Sequence, residues 1–314
     1  MQKIRIALVG VGKIARDQHI PALLQNPGFE LVAAVSLMDE QVGVPHFATV
    51  AELLRSAAVV DAVVICTPPQ VRFDIARQVL QQGLHVMLEK PPAPRLTEVQ
   101  ALVALAKAQG VALFAAWHCR EAAGVEPARQ WLASRALQRV NISWKEDVRV
   151  WHPGQAWIWQ PGGMGVFDPG INALSIITRI LPDRLVLRDA NLVFPSNCHA
   201  PIRAQLSMVS SAGVEVVADL DFEHRGEPCW DIVCESDTAT LQLSEGGAVL
   251  QIGEQAPVRG PDVEYPRLYR RFAQLVRDCT VDVDTTPLEL VADAFLCGRR
   301  ATAPAFIEDQ GTSG

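Results

Sequence analysis

The opening of the chain constrains its fold more than any other stretch. Residues 3–9 read KIRIALV, an apolar run typical of a buried strand, and Gly10, Gly12 and Ala15 follow with the spacing G-x-G-x-x-A. In the dinucleotide-binding fingerprint, the first glycine permits a tight turn, the second lets the backbone approach a diphosphate, and the small third residue allows close helix–strand packing. The sequence therefore predicts a dinucleotide site here, the alternative being a glycine-rich turn without a ligand.

Length and charge limit the class of protein. A chain of 314 residues is long for one core, so we expect two domains. The net charge of −7 and the lack of a Lys/Arg-rich run argue against a nucleic-acid partner. No apolar stretch reaches the roughly 18 residues of a membrane span, and the chain enters its first strand without a signal-like segment, so neither a span nor a secretion signal is expected.

The cysteines indicate a reducing compartment. There are seven, scattered along the chain, and none forms a C-x-x-C pair. We therefore expect no zinc ribbon, no other metal site and no disulfide framework, and we place the protein in the cytoplasm.

The first part of the chain alternates short apolar runs with helical patterns. Strands are expected at 3–9, 31–35, 59–66, 84–88 and 111–116, and helices at 47–56, 71–82 and 96–109. This alternation predicts an α/β Rossmann domain over 1–118, with a doubly wound parallel sheet.

The pattern changes near residue 119. Longer alternating segments are expected as strands at 137–144, 185–193, 202–209, 214–222, 230–234, 239–243 and 248–252, and helices at 126–136, 172–181, 265–277 and 287–301. Such alternation predicts a second α/β domain over 119–314, built on a large, mostly antiparallel open sheet. Its last helices are candidates to pack back on the first domain.

Two strand ends bear on the cofactor. The second strand ends in Ser36, with neither an acid for the ribose of NAD nor an arginine for the phosphate of NADP at its tip. Asp39 could reach the ribose or be a loop residue only. Thr67 and Pro68 follow the third strand and leave backbone accessible at the carboxyl edge of the sheet, where ligands bind in open α/β folds. We expect NAD, with NADP left open.

Lys90 is the strongest candidate for acid–base chemistry. It follows an apolar strand and lies between Glu89 and two prolines, at the same carboxyl edge. Partial burial and a neighbouring acid adapt a lysine in such a place to proton transfer. The alternative is a lysine that only forms an ion pair in a turn.

A second cluster lies around residues 162–172, where glycines precede Asp168-Pro169-Gly170 and a helix expected to begin near Ile171. Asp168 and Asn172 are four residues apart and would share one helix face, where they could hold a polyol. The alternative is that Asp168 only caps the helix.

Tryptophans concentrate in residues 144–159, where Trp144, Trp151, Trp157 and Trp159 are interleaved with acids and a histidine. Indoles beside carboxylates suit a sugar, whose C–H face stacks on the ring while its hydroxyls need acceptors. A structural aromatic loop or an oligomer contact is the alternative.

Three motifs together resemble the Gfo/Idh/MocA family of oxidoreductases. They are Gly10-Val11-Gly12, Glu89-Lys90-Pro91 and Asp168-x-Gly170-x-Asn172. The stretches HVMLEKPPAP, WKEDVRVWHPGQAWIW and GVFDPGINALSIITRIL are similar to the family's bacterial aldose 1-dehydrogenases for D-galactose and L-arabinose. Asn172 stands where most members of the family have histidine, and the subgroup of sugar 1-dehydrogenases also has asparagine there. Arg72 stands at another position where many members have histidine. Leu37 follows Ser36, where the subgroup has a basic residue.

The resemblance implies a reaction and its residues. An aldopyranose would be oxidised at C1 to a lactone, with hydride transfer to NAD. Lys90 and Asp168 would be the candidates to take the hydroxyl proton, as a coupled pair, and Asn172 would hold a hydroxyl. The expected sugar contacts are His118, Glu146, Asp147, Trp151, Asp168, Asn172 and Trp230. The expected cofactor contacts are Gly10, Gly12, Lys13, Ile14, Ser36, Thr67, Pro68, Glu89 and Lys90.

The resemblance also implies that the exposed face of the C-terminal sheet joins copies of the chain into a homodimer or homotetramer. Two other functions stay open: a non-catalytic, NAD-binding, sugar-responsive regulator, and a relative acting on another polyol, a cyclic diol or a glycoside. The combination of Lys90, Asp168 and Asn172 favours an enzyme.

Overall fold

The computed structural model describes residues 2–38 and 41–308, and within them the chain divides into two compact units. The first unit comprises Met1–His118 and Val263–Thr285, and the second comprises Cys119–Asp262 and Thr286–Gly314. The chain thus leaves the first unit after His118 and returns to it for one helix and one short strand.

The elements are numbered in chain order. The strands are β1 (Ile4–Val9), β2 (Phe29–Val35), β3 (His46–Phe47), β4 (Ala62–Ile65), β5 (His85–Glu89), β6 (Leu113–Ala116), β7 (Leu137–Lys145), β8 (Leu185–Pro195), β9 (Arg203–Ser210), β10 (Glu215–Asp221), β11 (Cys229–Ser236), β12 (Thr240–Ser244), β13 (Val249–Ile252), β14 (Val258–Arg259), β15 (Val281–Asp282) and β16 (Arg299–Ala303). The α-helices are α1 (Ile20–Gln25), α2 (Val50–Arg55), α3 (Pro69–Gln81), α4 (Leu96–Gln109), α5 (Val125–Leu132), α6 (Val148–Trp151), α7 (Phe167–Ile180), α8 (Glu264–Asp278) and α9 (Thr286–Cys297).

A parallel sheet forms the centre of the first unit. Its described strands run in the order β15-β6-β5-β4-β1-β2-β3, so the direction of winding reverses between β1 and β4. Side chains along β1 alternate between two cores: Ile6 and Leu8 face the core shared with α8, and Ala7 and Val9 face the core shared with α3 and α4. Helices therefore cover both faces, which confirms the doubly wound fold expected from the sequence.

One expected helix of this unit begins later than the sequence indicated. Residues 46–47 form β3 against β2, so the helix expected over 47–56 is wrong at its start. Thr49 caps α2 by accepting a hydrogen bond from the Glu52 N–H at 3.2 Å, and the Glu52 carboxylate accepts one from the Ala48 N–H at 3.0 Å. The arrangement resembles a capping box, except that the Glu52 carboxylate bonds the N–H of the residue before the cap, and it sets the start of the helix.

The second unit contains a mixed sheet. Its described strands run in the order β14-β13-β12-β11-β7-β10-β9-β8-β16. Of the pairings among these strands, β7 with β10 and β8 with β16 are parallel and the others are antiparallel. The expectation of a large, mostly antiparallel sheet is confirmed. Its oligomeric role stays a prediction.

The last element of the chain is a strand where a helix was expected. The helix predicted over 287–301 ends at Cys297, and residues 299–303 form β16 beside β8. Gly298 interrupts the helix, and the guanidinium of Arg299 hydrogen-bonds Asn191 on β8 at 3.0 Å. Pairing with an open sheet edge thus overrides the local helical pattern.

The described helices include none that is both long and apolar enough to cross a bilayer.

Helix α8 completes the core of the first unit although it lies far along the chain. The ring of Phe272 is fully buried and stacks on Phe29, with centroids 6.3 Å apart, and on Phe114, at 6.4 Å. We expect Phe272→Ala to lower the free energy of unfolding by about 3–5 kcal/mol, since it removes a packed aromatic ring and leaves a cavity. Urea denaturation measures the change.

The matched control is Leu296→Ala on α9, where the side chain is 83% exposed and little change is expected. A loss of less than about 1 kcal/mol in Phe272→Ala would contradict the assignment of α8 to this core.

Candidate active site

The turn after β1 is built around Gly10. Its φ is +88°, and a Cβ there would lie 2.8 Å from the backbone nitrogen of Thr67. Only glycine combines this left-handed conformation with so close an approach. The turn thereby lies against the end of β4, at the point where the winding of the sheet reverses and where open α/β sheets bind ligands.

Several features of this turn fit a dinucleotide. Apart from Gly12 and the backbone next to it in the chain, no heavy atom of the described residues lies within 4 Å of the position that a Cβ on Gly12 would take, so the backbone is approachable there. The Thr67 hydroxyl oxygen is buried and has no hydrogen-bond partner among the described residues. Pro68 and Lys13 are exposed, and Ile14 is half-buried at the helix start. Open backbone and an unpaired buried hydroxyl are what a bound diphosphate and its ribose would complete.

The tip of β2 holds Ser36 in a local network. Its hydroxyl donates to the Met38 carbonyl, and Nε2 of His46 lies 2.9 Å from the Ser36 carbonyl oxygen. Leu37 and Met38 are 94% and 71% exposed. Asp39 lies outside the described residues. No pattern in the sequence points to His46, because only the pairing of β3 with β2 brings it here.

A buried carboxylate lies directly before Lys90. Glu89 Oε2 accepts a hydrogen bond from the Lys90 N–H at 2.8 Å, and Glu89 Oε1 accepts one from the Tyr265 hydroxyl at 2.8 Å. His19 places Nε2 3.0 Å from the same Oε1 and Nδ1 2.8 Å from the Tyr269 hydroxyl. Glu89 and His19 are 3% and 0% exposed, so these protein groups replace water around both side chains.

The protonation of this cluster follows from its contacts. Burial alone would raise the pKa of the Glu89 carboxyl, but hydrogen bonds and charge from His19, together with His118 and Tyr265, hold it well below its usual range. Burial would lower the pKa of His19, but Cys66 and Glu89 outweigh burial and raise it to about 10. His19 and Glu89 therefore form an ion pair at neutral pH.

Arg72 ties together the two strand ends that carry Thr67 and Lys90. Its buried guanidinium donates to the carbonyl oxygens of Thr67, Glu89 and Pro91. The side chain that departs from the family pattern thus holds the backbone on both sides of the expected cofactor position.

His118 belongs to the same unit. Its Nδ1 lies 2.6 Å from Glu264 Oε2, and its ring stacks on Tyr265 with centroids 5.6 Å apart. The carboxylate and the stacked ring fix the orientation of this expected sugar contact.

The second unit assembles a different group of residues after β7. The Glu146 carboxylate, 4% exposed, accepts a hydrogen bond from Trp230 Nε1 at 2.8 Å, and the Trp151 ring meets Trp230 edge-on at 4.9 Å. His152 lies between two acids, with Nε2 3.4 Å from Glu146 Oε1 and Nδ1 3.8 Å from Asp168 Oδ2. Glu146, Trp151, Trp230 and Asp168, all expected at the site, are thus brought together.

Asp147 has structural partners of its own. Its carboxylate caps α6 by accepting from the Arg149 N–H at 3.0 Å, and it pairs with the guanidinium of Arg225 at 3.1 Å. These contacts hold the turn that carries Trp151 and His152.

Asp168 is the second residue of α7, not its cap. The helix begins at Phe167 rather than near Ile171, and its cap position is Val166, so the alternative that Asp168 only caps the helix is wrong. Pro169 is tolerated because it lies in the first turn, where its missing N–H has no partner to lose. Asp168 and Asn172 share one face of α7, as expected.

Sequence reasoning missed several residues of these clusters, among them Tyr269, whose hydroxyl lies 2.8 Å from His19 Nδ1. His19 and Tyr265 carried no pattern that pointed to Glu89, since both come from distant segments. His152 lies within the tryptophan-rich stretch, and its place between acids was the signal that could have identified it.

The open space at Gly12 generates a specific prediction. We expect Gly12→Ala to leave the free energy of unfolding unchanged or to raise it slightly. The new methyl group contacts no neighbouring side chain, and alanine lowers the conformational entropy of the unfolded chain. It should nonetheless weaken dinucleotide binding at least about tenfold, because the methyl group occupies the space of the diphosphate. Fluorescence titration with NADH, together with denaturation, measures both. Unchanged affinity would contradict a diphosphate at Gly12.

Comparison with known proteins agrees with this geometry. Residues 4–117 match the family model described as "Oxidoreductase family, NAD-binding Rossmann fold". The chain is 46% identical over 308 residues to galactose 1-dehydrogenase of Pseudomonas fluorescens, covering 98% of this chain and 100% of that protein.

Two solved structures share the fold. The D-galactose-1-dehydrogenase protein from Rhizobium etli matches with a TM-score of 0.92 at 48% identity, over 98% of this chain and 99% of that one. KijD10, a 3-ketoreductase from Actinomadura kijaniata in complex with NADP and TDP-benzene, matches with a TM-score of 0.86 at 20% identity, over 96% and 100% of the two chains, a likeness of fold alone. The chain belongs to the Gfo/Idh/MocA family of oxidoreductases and carries its NAD-binding Rossmann fold.

Proposed function

We propose that the chain is an NAD-dependent aldose 1-dehydrogenase that oxidises the C1 hydroxyl of D-galactose and L-arabinose, in the pyranose form, to the lactone. The observation that carries the proposal is the cluster of the second unit, in which buried Glu146 and Asp168 flank His152 and Trp230 holds Glu146. Its support is the 46% identity, over nearly the full chain, to a galactose 1-dehydrogenase.

The cluster has the chemistry that a monosaccharide requires. Carboxylate oxygens accept hydrogen bonds from sugar hydroxyls, and indole rings pack against the C–H face of the pyranose. Because the Trp230 N–H is bonded to Glu146, that carboxylate is held in one orientation, with Oε1 directed to His152. A fixed acceptor selects among hydroxyl configurations better than a mobile one.

D-Galactose and L-arabinose share the configuration of the ring, including the axial C4 hydroxyl, and differ only by the exocyclic CH₂OH. In a permissive pocket such a group changes binding by about 1–3 kcal/mol. We therefore propose that both are substrates.

The proton and the hydride leave the sugar by separate routes. NAD held at the Gly10–Gly12 turn and Thr67 would supply the acceptor for the C1 hydride, and a residue of this chain would take the hydroxyl proton. We propose that Lys90 is indispensable, as the base or as the cation that stabilises the developing alkoxide. Asp168 shares the proton or orients the sugar, and Asn172, one turn further along α7, holds a hydroxyl near C1 or C2.

Initial rates with a panel of aldoses test the substrate. We expect reduction of NAD with D-galactose and L-arabinose, and a kcat/KM at least about 100-fold lower with D-glucose, since its equatorial C4 hydroxyl leaves a buried acceptor unpaired. Absorbance of the reduced nicotinamide gives the rates. If none of the aldoses is turned over while NADH still binds, the dehydrogenase assignment is contradicted and a sugar-responsive regulator is favoured.

Lys90→Ala tests the catalytic residue. We expect kcat to fall by about 10²–10⁴-fold, the usual contribution of a positioned acid–base group, with NADH affinity retained. The matched control is Lys107→Ala, an exposed lysine in the last turn of α4, which should leave kcat unchanged. Preserved turnover in Lys90→Ala would remove this residue from the mechanism.

The tip of β2 supports a preference for NAD, because residues 36–38 offer no cation to the 2′-phosphate of NADP. We expect Leu37→Arg to raise the ratio of kcat/KM for NADP to that for NAD by at least about tenfold. Val258→Arg, which adds the same charge at an exposed position of the second unit, should not change the ratio. An unchanged ratio in Leu37→Arg would mean that this loop does not face the ribose.

A further inference from the structure

We propose that His19 is a positioning residue for Lys90, acting through Glu89. The inference rests on the proposed function, in which Lys90 is catalytic. It concerns the buried cluster of the first unit, formed by His19, Glu89, Tyr265 and Tyr269 and hereafter called the His19 cluster, which does not itself contact the reacting atoms in the mechanism above.

The two oxygens of Glu89 have different partners. Oε2 accepts the backbone N–H of Lys90 at 2.8 Å, and Oε1 lies 3.0 Å from His19 Nε2 and 2.8 Å from the Tyr265 hydroxyl. Donors from two other segments therefore fix the rotation of the carboxylate. Because that carboxylate holds the Lys90 N–H, the same donors fix the backbone from which the catalytic side chain extends.

His19 is itself held in one orientation. Its Nδ1 lies 2.8 Å from the Tyr269 hydroxyl, and its ring meets Tyr265 edge-on at 4.8 Å and Tyr269 at 5.9 Å. An imidazolium donates from both nitrogens, so Tyr269 and Glu89 together define the ring position.

The cluster also joins the cofactor turn to Lys90. His19 ends the π-helical segment Ala15–His19, which follows the Gly10–Gly12 turn, and Glu89 ends β5. Short π-helical segments within helices are frequent at functional sites. Here the segment brings His19 to Glu89. The buried contact between these two side chains therefore connects the segment that follows the diphosphate-binding turn to the residue directly before Lys90.

Stability alone does not account for this arrangement. A buried ion pair costs desolvation that its Coulomb attraction often only just offsets, and apolar residues of the same volume would fill the site at no such cost. A role in catalysis accounts for it: the oriented pair of His19 and Glu89 holds the Lys90 backbone in the position that the reaction needs.

His19→Gln tests the proposal. Glutamine can still hydrogen-bond but carries no charge and no ring, so we expect kcat to fall by about 10–100-fold as Lys90 loses its fixed position. The KM for D-galactose and the Kd for NADH, measured by fluorescence titration, should change less than about threefold, because binding groups are untouched. Tyr269→Phe, which removes one partner of His19, should show a smaller loss in kcat with the same pattern, and it serves if His19→Gln does not fold.

The pH dependence of kcat gives a second readout. The charged and titratable groups that act on Glu89 include His19, His118, Tyr265 and Tyr269, and those that act on His19 include Glu89, Cys66 and Tyr269. Without the His19 cation, burial raises the pKa of Glu89, so its carboxyl is protonated as the pH falls. We expect kcat of His19→Gln to decline toward acidic pH more steeply than that of the unmodified chain, and to recover toward alkaline pH.

Two controls separate positioning from loss of stability. Asp61→Asn breaks the Arg5–Asp61 pair at the opposite, amino end of the same sheet, and should lower the free energy of unfolding without lowering kcat more than about twofold. In the double variant His19→Gln, Glu89→Gln, kcat should equal that of Glu89→Gln alone, since both changes act through one carboxylate.

The outcomes are distinguishable. If the unmodified chain turns over D-galactose and Lys90→Ala does not, but His19→Gln keeps its kcat and pH profile, the positioning role is overturned and the proposed function stands. A loss in His19→Gln no larger than in an equally destabilised Asp61→Asn would also overturn it. If the unmodified chain has no turnover, the proposed function fails first.

Discussion

The arrangement of the first unit depends on the hydrogen bonds that the buried carboxylate of Glu89 accepts. A carboxylate away from water persists only where donors replace its hydration, and Glu89 has donors from three segments. His19 comes from the helix after the glycine turn, Lys90 from the end of β5, and Tyr265 from α8. The need to supply the tyrosine hydroxyls and to close the core with Phe272 explains why the chain returns to this unit after residue 262.

In the second unit, too, hydrogen-bond partners orient a buried carboxylate. Its long strands alternate buried and half-exposed residues, so a small number of side chains just beyond the strand ends carry the polar chemistry. Glu146 follows β7, and Trp230 on the adjacent β11 donates to it. The hydrogen bond from Trp230 fixes the direction of the Glu146 carboxylate, and His152 lies between this acid and Asp168.

The sequence was sufficient for features with a local cause. Apolar runs identified β1, β4 and β5, and the 3.6-residue period gave α4 with its observed bounds. Lys90 and Glu146 were recognisable as candidates by their neighbours in the chain, whereas Trp230 was expected from the family resemblance. Short edge strands were not, because β3 and β15 have two residues each and form only by pairing with β2 and β6. Residues 299–301 were predicted as the end of a helix, but they belong to β16, which forms by pairing with the edge strand β8.

The His19 cluster shows where sequence reasoning ends. His19 is 70 residues from Glu89, and Tyr265 is 176 residues from it, so neither spacing nor composition links them. The fold itself creates this contact, and with it the charged pair beside Lys90.

The most direct test of the account uses D-galactose that carries deuterium at C1. We predict that NADH formed by the chain contains the deuterium in its reduced nicotinamide ring, as mass spectrometry would detect, because C1 is the carbon that gives up the hydride. NADH that lacks deuterium, or no NADH at all from galactose and NAD, would contradict the proposed reaction.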